Sequence, residues 1–183
     1  MKDFSDYQFK LLMISRLEPV KNIKAVLNVM KRLVKLNHKV HLTIAGSGSL
    51  DKELRDQVKH QKLDNHVNFI GFITDPYPHL LTSDLYVLNS FTEGFSNSLV
   101  EAMYSRTPAL STSVGSVPEI IKDGENGFLV EPDNEDLLVD KILEIMKTPK
   151  GHLLQIGKSG HKTVVNNFSL EKHIFELMKI YKN

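Results

Sequence analysis

Two cations and two carboxylates are the residues of this sequence best suited to chemistry. Arg16 and Lys21 lie close together early in the chain, and Glu93 and Glu101 follow later with seven residues between them. A guanidinium and an ammonium together match a diphosphate, which carries about two negative charges. A carboxylate removed from water needs donors, and sugar or ribose hydroxyls would supply them. Taken singly, each residue is better explained as surface charge, or as a glutamate bonded to a neighbouring backbone group or lysine.

The segment between the two glutamates suits a bound phosphate. Gly94 lets the backbone approach a ligand closely. Ser96 or Asn97 can cap the helix predicted to follow, and the free N–H groups of a helix N-terminus bind anions. Glu101 would lie about one turn inside this helix, among apolar residues. We therefore expect the Glu101 side chain to be partly buried.

A glycine pair earlier in the chain is a weaker signal. Gly46 and Gly48 flank a serine, but the third glycine of a dinucleotide-binding fingerprint would fall at Asp51. The pair is explained either as a tight turn or as a turn that leaves room beside a diphosphate. Gly115 presents the same choice between a turn residue and a ligand contact.

These residues must be positioned by strands and helices that alternate along the chain. Alternation of this kind predicts a parallel sheet with helices on both faces, and right-handed crossovers place every strand-to-helix loop on one edge. We predict an α/β fold with a single Rossmann-like domain over residues 1–183 and about six strands. The predicted strands are 9–15, 40–45, 67–70, 84–89, 108–113 and 127–130. The predicted helices are 22–37, 50–62, a short one after Asp75, then 97–105, 134–147, 150–166 and one beginning at Ser169.

Composition and missing motifs exclude several other functions. The chain has no Cys, which removes disulfides, Cys-ligated zinc, iron–sulfur clusters and thiol catalysis. A net charge of +1 argues against a domain built to neutralise nucleic acid. The sequence contains no P-loop, no G-x-S-x-G elbow, no H-E-x-x-H and no Asp-x-Asp pair. The polar N-terminus lacks the apolar core of a signal peptide, so we expect a soluble, cytoplasmic protein.

Four motifs, in order along the chain, resemble those of a known family. They are SRLEPVKN at 15–22, IAGSG at 44–48, EGFSNSLVEAM at 93–103 and GSVPEII at 115–121. The chain is similar to the C-terminal, donor-binding domain of retaining glycosyltransferases of family 4, which have the GT-B fold. The spacing of the two glutamates is the most specific part of this match. The resemblance implies sugar transfer with retention from a nucleotide sugar, more often a UDP-sugar than a GDP-sugar, without metal or cofactor.

The resemblance also implies roles for individual residues. Arg16 and Lys21 would bind the donor diphosphate and stabilise the leaving charge, and Glu93 would contact hydroxyls of the transferred sugar. These three are the implied catalytic residues. Glu101 would bind ribose hydroxyls and Ile73 the base, while backbone N–H groups after Gly94 would hold sugar or phosphate. The implied donor-binding residues are Arg16, Lys21, Gly46, Gly48, Ile73, Glu93, Gly94, Phe95, Ser96, Asn97 and Glu101, and no residue is assigned to a metal.

The family's second domain has no counterpart in these 183 residues. The acceptor, a glycan or a lipid-linked sugar, would bind to that N-terminal domain, and the full-length enzyme could associate peripherally with a membrane. We expect the isolated chain to have little or no transferase activity, and a last helix over 169–182 to pack on the missing domain. Ser96 and Ser116 stand where the family often has glycine. A nucleotide-sugar epimerase and a stand-alone nucleotide-sugar-binding module stay open as alternatives, although the paired glutamates do not support the epimerase.

Overall fold

All six predicted strands form one parallel sheet. The computed structural model describes residues 8–36 and 38–168. The strands are β1 (Phe9–Ile14), β2 (Val40–Ala45), β3 (Val67–Gly71), β4 (Leu85–Leu88), β5 (Ala109–Thr112) and β6 (Phe128–Val130). They lie in the order β3-β2-β1-β4-β5-β6, and every pair is parallel. The predicted α/β fold class is confirmed.

The helices follow the strands as the alternation predicts. They are α1 (Ile23–Lys35), α2 (Asp51–His60), α3 (Tyr77–Leu81), α4 (Asn97–Tyr104), α5 (Val117–Ile120), α6 (Glu135–Lys147) and α7 (Lys150–Asn167). A short 3-10 turn at Pro19–Lys21 precedes α1, and the four-residue α5 was not predicted. Among the described residues, no helix is both long and apolar enough to cross a bilayer. The helix predicted to begin at Ser169 lies outside the described residues.

Helices cover both faces of the sheet because neighbouring residues of a strand point to opposite sides. In β1, Leu11 and Met13 belong to a core cluster that includes the apolar faces of α1 and α6. Leu12 belongs to a second cluster with Leu99 of α4 and Val164 of α7. The sheet is therefore the middle layer of three, and its inner strands are buried on both faces.

The strand order places a crevice at the centre of the sheet. β1 and β4 are neighbours, with Leu12 opposite Tyr86. β2 and β3 extend the sheet on one side of this pair, and β5 and β6 extend it on the other. In open α/β sheets, ligands bind outside the carboxyl ends of the strands where the strand order reverses. The loops after β1 and β4 are therefore the first place to look for a site.

Candidate functional site

The loops after β1 and β2 pack directly on each other. The Leu17 N–H donates to the Ser47 carbonyl at 2.9 Å, and Leu50 N–H donates to the Leu17 carbonyl at 2.9 Å. A Cβ on Gly46 would lie 1.8 Å from the Ser15 carbonyl oxygen, and one on Gly48 would lie 2.5 Å from that of Leu17. Gly46 also has a φ of +139°, which favours glycine. The close approach of two backbones explains why this turn is built from glycines.

Glu18 fixes the β1 loop to the start of α2. Its carboxylate accepts from the Ser49 N–H at 2.9 Å and from the Ser49 hydroxyl at 2.7 Å. These two hydrogen bonds lower the pKa of Glu18, and the nearby Arg16 guanidinium lowers it further. Arg16 itself is exposed. The backbone of the β1 loop is therefore fixed by these contacts, and the Arg16 guanidinium extends from it into solvent.

Lys21 and Glu93, 72 residues apart in sequence, meet in the crevice. Lys21 Nζ donates to Glu93 Oε1 at 2.5 Å, and the two side chains are 15% and 7% exposed. The Ser90 hydroxyl donates to the same carboxylate oxygen at 2.6 Å. An ammonium has three donors, so this ion pair leaves Lys21 with capacity for a further acceptor. The structure thus brings together these two predicted residues from the loops after β1 and β4.

The β4 loop is also tied to its neighbours through the backbone. The Phe91 N–H donates to the Val20 carbonyl at 2.9 Å, and Thr112 at the end of β5 donates through its hydroxyl to the Ser90 carbonyl at 2.7 Å. Ser90 is buried and was not among the predicted site residues. Its position at the polar end of an apolar strand, three residues before a glutamate, was a usable signal.

The loop after β5 packs against the backbone of Glu93. Gly115 has a φ of +54°, and a Cβ there would lie 1.6 Å from the Glu93 carbonyl oxygen. Next to it, the Ser116 hydroxyl donates to the Gly94 carbonyl. Gly94 is different, because a Cβ on it would meet no atom within 4 Å. Gly115 is thus required for packing, whereas Gly94 borders open space where a ligand could approach.

The N-terminus of α4 opens on the same edge. Ser96 is buried and caps the helix, since its hydroxyl accepts from the Leu99 N–H at 3.4 Å. Of the two predicted caps it is therefore Ser96 that serves, and Asn97 is the first helical residue. The Phe95 ring is 51% exposed and lies 5.8 Å from the ring of Phe168. Backbone N–H groups of this first turn are available to an anion beside Lys21 and Glu93.

Ile73 and Arg16 line one small cavity. It has a volume of about 140 Å³ and lies between the ends of β1 and β2 and the segment after β3. Ile73 is half-buried there, and the exposed Phe72 ring stands beside it. Its lining residues are Ile14, Ser15, Arg16, Ala45, Gly46, Ser47, Phe72 and Ile73. Apolar side chains together with a cation would suit a planar base joined to a phosphate.

Larger cavities elsewhere contain none of the predicted site residues. One of about 400 Å³ lies between α3 and α7, where Leu80 and Leu153 contribute apolar walls and Arg106 a cation. Another, of about 420 Å³, lies beside β6 and α6 and is lined by several acids and Lys141. In residues 8–36 and 38–168, no three His, Asp or Glu side chains are grouped so that they could hold a metal ion. The switch-point crevice is distinguished by its chemistry, not by its size.

Glu101 corrects one expectation. Its side chain is exposed on α4 and not partly buried, because the apolar residues around it in sequence lie on the other side of the helix. Desolvation by neighbouring protein atoms nevertheless raises its pKa. The ionised carboxylate is therefore less well solvated than in the unfolded chain, which leaves it in need of donors.

We expect Glu101→Gln to stabilise the fold slightly. A carboxyl whose pKa is raised on folding costs stability when it is ionised, and this cost is lost as the pH falls through the raised pKa. Glutamine removes the cost, so the melting temperature should rise slightly at neutral pH. In acid, where the carboxyl is protonated in both states, the gain should vanish. A gain of the same size at both pH values in thermal melts would contradict this account.

The fold and the crevice define a class of protein before any relative is considered. A parallel sheet of this strand order, with cations and a helix N-terminus at its switch point, is typical of nucleotide-binding α/β domains. The sequence model for glycosyl transferases group 1 matches residues 2–163. The chain therefore belongs to this glycosyltransferase family.

Characterised relatives are longer than this chain. It is 27% identical over 171 residues to a poly(ribitol-phosphate) alpha-N-acetylglucosaminyltransferase of Staphylococcus aureus, and the match covers 93% of the chain and 34% of the relative. It is 28% identical over 171 residues to N-acetyl-alpha-D-glucosaminyl L-malate synthase of Bacillus anthracis, covering 93% and 44%. The chain thus spans less than half the length of each.

Solved structures share the fold of this chain. S. aureus TarM, in complex with Fondaparinux, alpha-GlcNAc-glycerol and UDP, has a TM-score of 0.88 and 26% identity, and the match covers 98% of this chain and 37% of TarM. The C-terminal domain of a glycosyl transferase group 1 protein (LpcC) from Francisella tularensis has a TM-score of 0.77 and 28% identity, covering 90% and 88%. The predicted likeness to the C-terminal domain of a GT-B enzyme is confirmed.

Proposed function

We propose that this chain is the donor-binding half of a glycosyltransferase that moves a sugar, with retention, from a UDP-sugar to a glycan or lipid-linked acceptor. The observation that carries the proposal is the meeting of Lys21 with Glu93 at the switch point, beside the open N-terminus of α4. Arg16 lies on the same β1 loop as Lys21 and lines the small cavity between the ends of β1 and β2. Two cations and a helix N-terminus together suit a diphosphate.

The solved relatives support UDP as the nucleotide. TarM was crystallised with UDP and with alpha-GlcNAc-glycerol, and its match covers nearly the whole of this chain. The relative of S. aureus that shares 27% identity is named for transfer of N-acetylglucosamine to a poly(ribitol-phosphate) chain. Both relatives are consistent with a nucleotide-diphosphate sugar as donor and a cell-surface polymer as acceptor.

The proposed chemistry is electrostatic. Arg16 and Lys21 neutralise the diphosphate as it departs with the electrons of the sugar–phosphate bond, so they serve where other enzymes use a divalent metal. Glu93 accepts from hydroxyls of the transferred sugar and fixes its orientation against the acceptor. Lys21 stays bonded to Glu93 through one N–H and turns its others to the phosphate. The acceptor and the rest of the active site would come from the second domain.

Replacing Arg16 by alanine tests the proposal directly. A hydrogen-bonded charge contact with a phosphate is worth about 1.5–3 kcal/mol, so the dissociation constant for UDP should rise at least about tenfold in Arg16→Ala. Isothermal titration of the chain with UDP and a UDP-sugar measures this. Arg32→Ala is the matched control, because Arg32 lies in the last turn of α1 and pairs with Asp136. Equal affinity in wild type and Arg16→Ala would remove Arg16 from the diphosphate site.

A further inference from the structure

We infer that Tyr86 is a positioning residue for this donor site, one that holds the first turn of α4 against β4 through Ser98; the inference rests on the proposed function. The Tyr86 hydroxyl donates to the Ser98 Oγ at 2.7 Å and lies 3.5 Å from the Ile14 carbonyl oxygen. Ser98 belongs to the first turn of α4, and Ile14 is the last residue of β1. The hydroxyl therefore links the first turn of α4 to β4, beside the end of β1.

The burial of this hydroxyl calls for a reason. Tyr86 is fully buried, and its ring packs in the apolar cluster that contains Leu88, Leu99 and Met103. A phenylalanine ring would fill the same space without carrying a polar group out of water, which is costly unless a partner is found. Here the partner is a serine at a helix N-terminus and not a group of the core. The hydroxyl thus serves the helix end instead of the packing.

A chain of three hydroxyls leads from the sheet to the helix cap. Tyr86 donates to Ser98, the Ser98 Oγ lies 3.4 Å from the Ser96 Oγ, and Ser96 accepts from the Leu99 N–H. These are the residues that orient the first-turn N–H groups proposed to bind the donor. A shift of this turn would misalign those groups with Lys21, which is fixed separately by its ion pair. Tyr86 therefore acts on the ligand only through the helix.

The charges of both glutamates act on the same hydroxyl. Burial raises the pKa of Tyr86, the hydrogen bond with Ser98 lowers it, and the charges of Glu93 and Glu101 raise it. The hydroxyl consequently stays protonated and keeps its donor role at any physiological pH. Both carboxylates act on this hydroxyl through their charges, although Tyr86 itself is fully buried.

The experiment compares the affinity for UDP in variants that lose or keep the hydrogen bond between Tyr86 and Ser98. Tyr86→Phe and Ser98→Ala should each raise the dissociation constant for UDP about fivefold, the value for one neutral hydrogen bond. The double variant should be no weaker than either single one, because both remove the same contact. Ser98→Thr keeps a hydroxyl and should retain the wild-type affinity. Tyr104→Phe is the control, since Tyr104 is an exposed tyrosine of the same helix.

The outcomes separate positioning from mere stability. A purely structural Tyr86 would lower the melting temperature and leave the UDP affinity of the folded chain unchanged; unchanged affinity in both single variants overturns the inference. Should Tyr86→Phe fail to fold, the pair Ser98→Ala and Ser98→Thr decides it. If the wild-type chain does not bind UDP, the proposed function fails. Hydrogen exchange of the backbone amides of residues 96–101 then tests whether Tyr86 positions the first turn of α4. Faster exchange in Tyr86→Phe than in Tyr104→Phe supports the positioning role, and equal exchange overturns it.

Discussion

Replacing Gly115 by alanine is expected to lower the free energy of unfolding by about 3 kcal/mol or more. Two costs add at this position. Its φ of +54° is a conformation that residues with a Cβ rarely adopt, and the new Cβ would lie 1.6 Å from the carbonyl oxygen of Glu93. Since that oxygen belongs to the backbone, it cannot rotate away as a flexible side chain would. The β5 loop or the Glu93 segment would have to move.

Gly124→Ala is the matched control for this variant. Gly124 has a φ of +74°, and a Cβ on it would meet nothing within 4 Å. It therefore carries the backbone cost alone, about 1 kcal/mol. Urea unfolding of the two variants side by side measures the difference, which is the cost of the contact with Glu93. Equal losses in the two variants would show that the loop accommodates the Cβ and that Gly115 does not hold Glu93 in place.

The fold could be predicted from the sequence because its strands are short apolar runs separated by helical patterns. FKLLMI and VHLTIA are buried on both faces, which is what the inner strands of a parallel sheet require. The four-residue helix α5 was not predicted, because a single helical turn is too short to show a periodic pattern of apolar residues. Glu101 was misjudged since its apolar neighbours in sequence, such as Ala102 and Met103, face the core while it faces outward.

The site could be predicted only to the level of which loops converge. Strand order brings the ends of β1 and β4 together, and this follows from topology. That Lys21 pairs with Glu93, and not with an acceptor elsewhere, depends on side-chain distances that no spacing reveals. The same limit applies to Gly46 and Gly115, where close backbone approach is a tertiary property. In the sequence, Tyr86 is indistinguishable from the other apolar residues of its strand. Only the hydrogen bond of its hydroxyl to Ser98, seen in the structure, distinguishes it.

Removing one partner of the Lys21–Glu93 ion pair should strongly lower the free energy of unfolding. Lys21→Met leaves a 7%-exposed carboxylate with the Ser90 hydroxyl but without its cation. Breaking a buried pair from one side typically costs about 3–5 kcal/mol, and the retained Ser90 contact favours the lower end of that range. Lys24→Met is the control, because Lys24 pairs with Glu53 at 2.6 Å while both side chains are about half exposed. An exposed pair contributes at most about 1 kcal/mol.

Neutralising the second partner should restore most of the loss. Lys21→Met combined with Glu93→Gln removes the unpaired charge and keeps a group that accepts from Ser90, so urea unfolding should show clear non-additivity. The same double variant should bind UDP more weakly than wild type, because the proposed contact of Lys21 with the diphosphate is gone. Stability would then recover relative to Lys21→Met, whereas the affinity for UDP would stay below that of wild type. If Lys21→Met lowers the free energy of unfolding no more than Lys24→Met does, the Lys21–Glu93 pair is solvated. The crevice then does not fix Lys21 beside Glu93 in a position to bind a diphosphate.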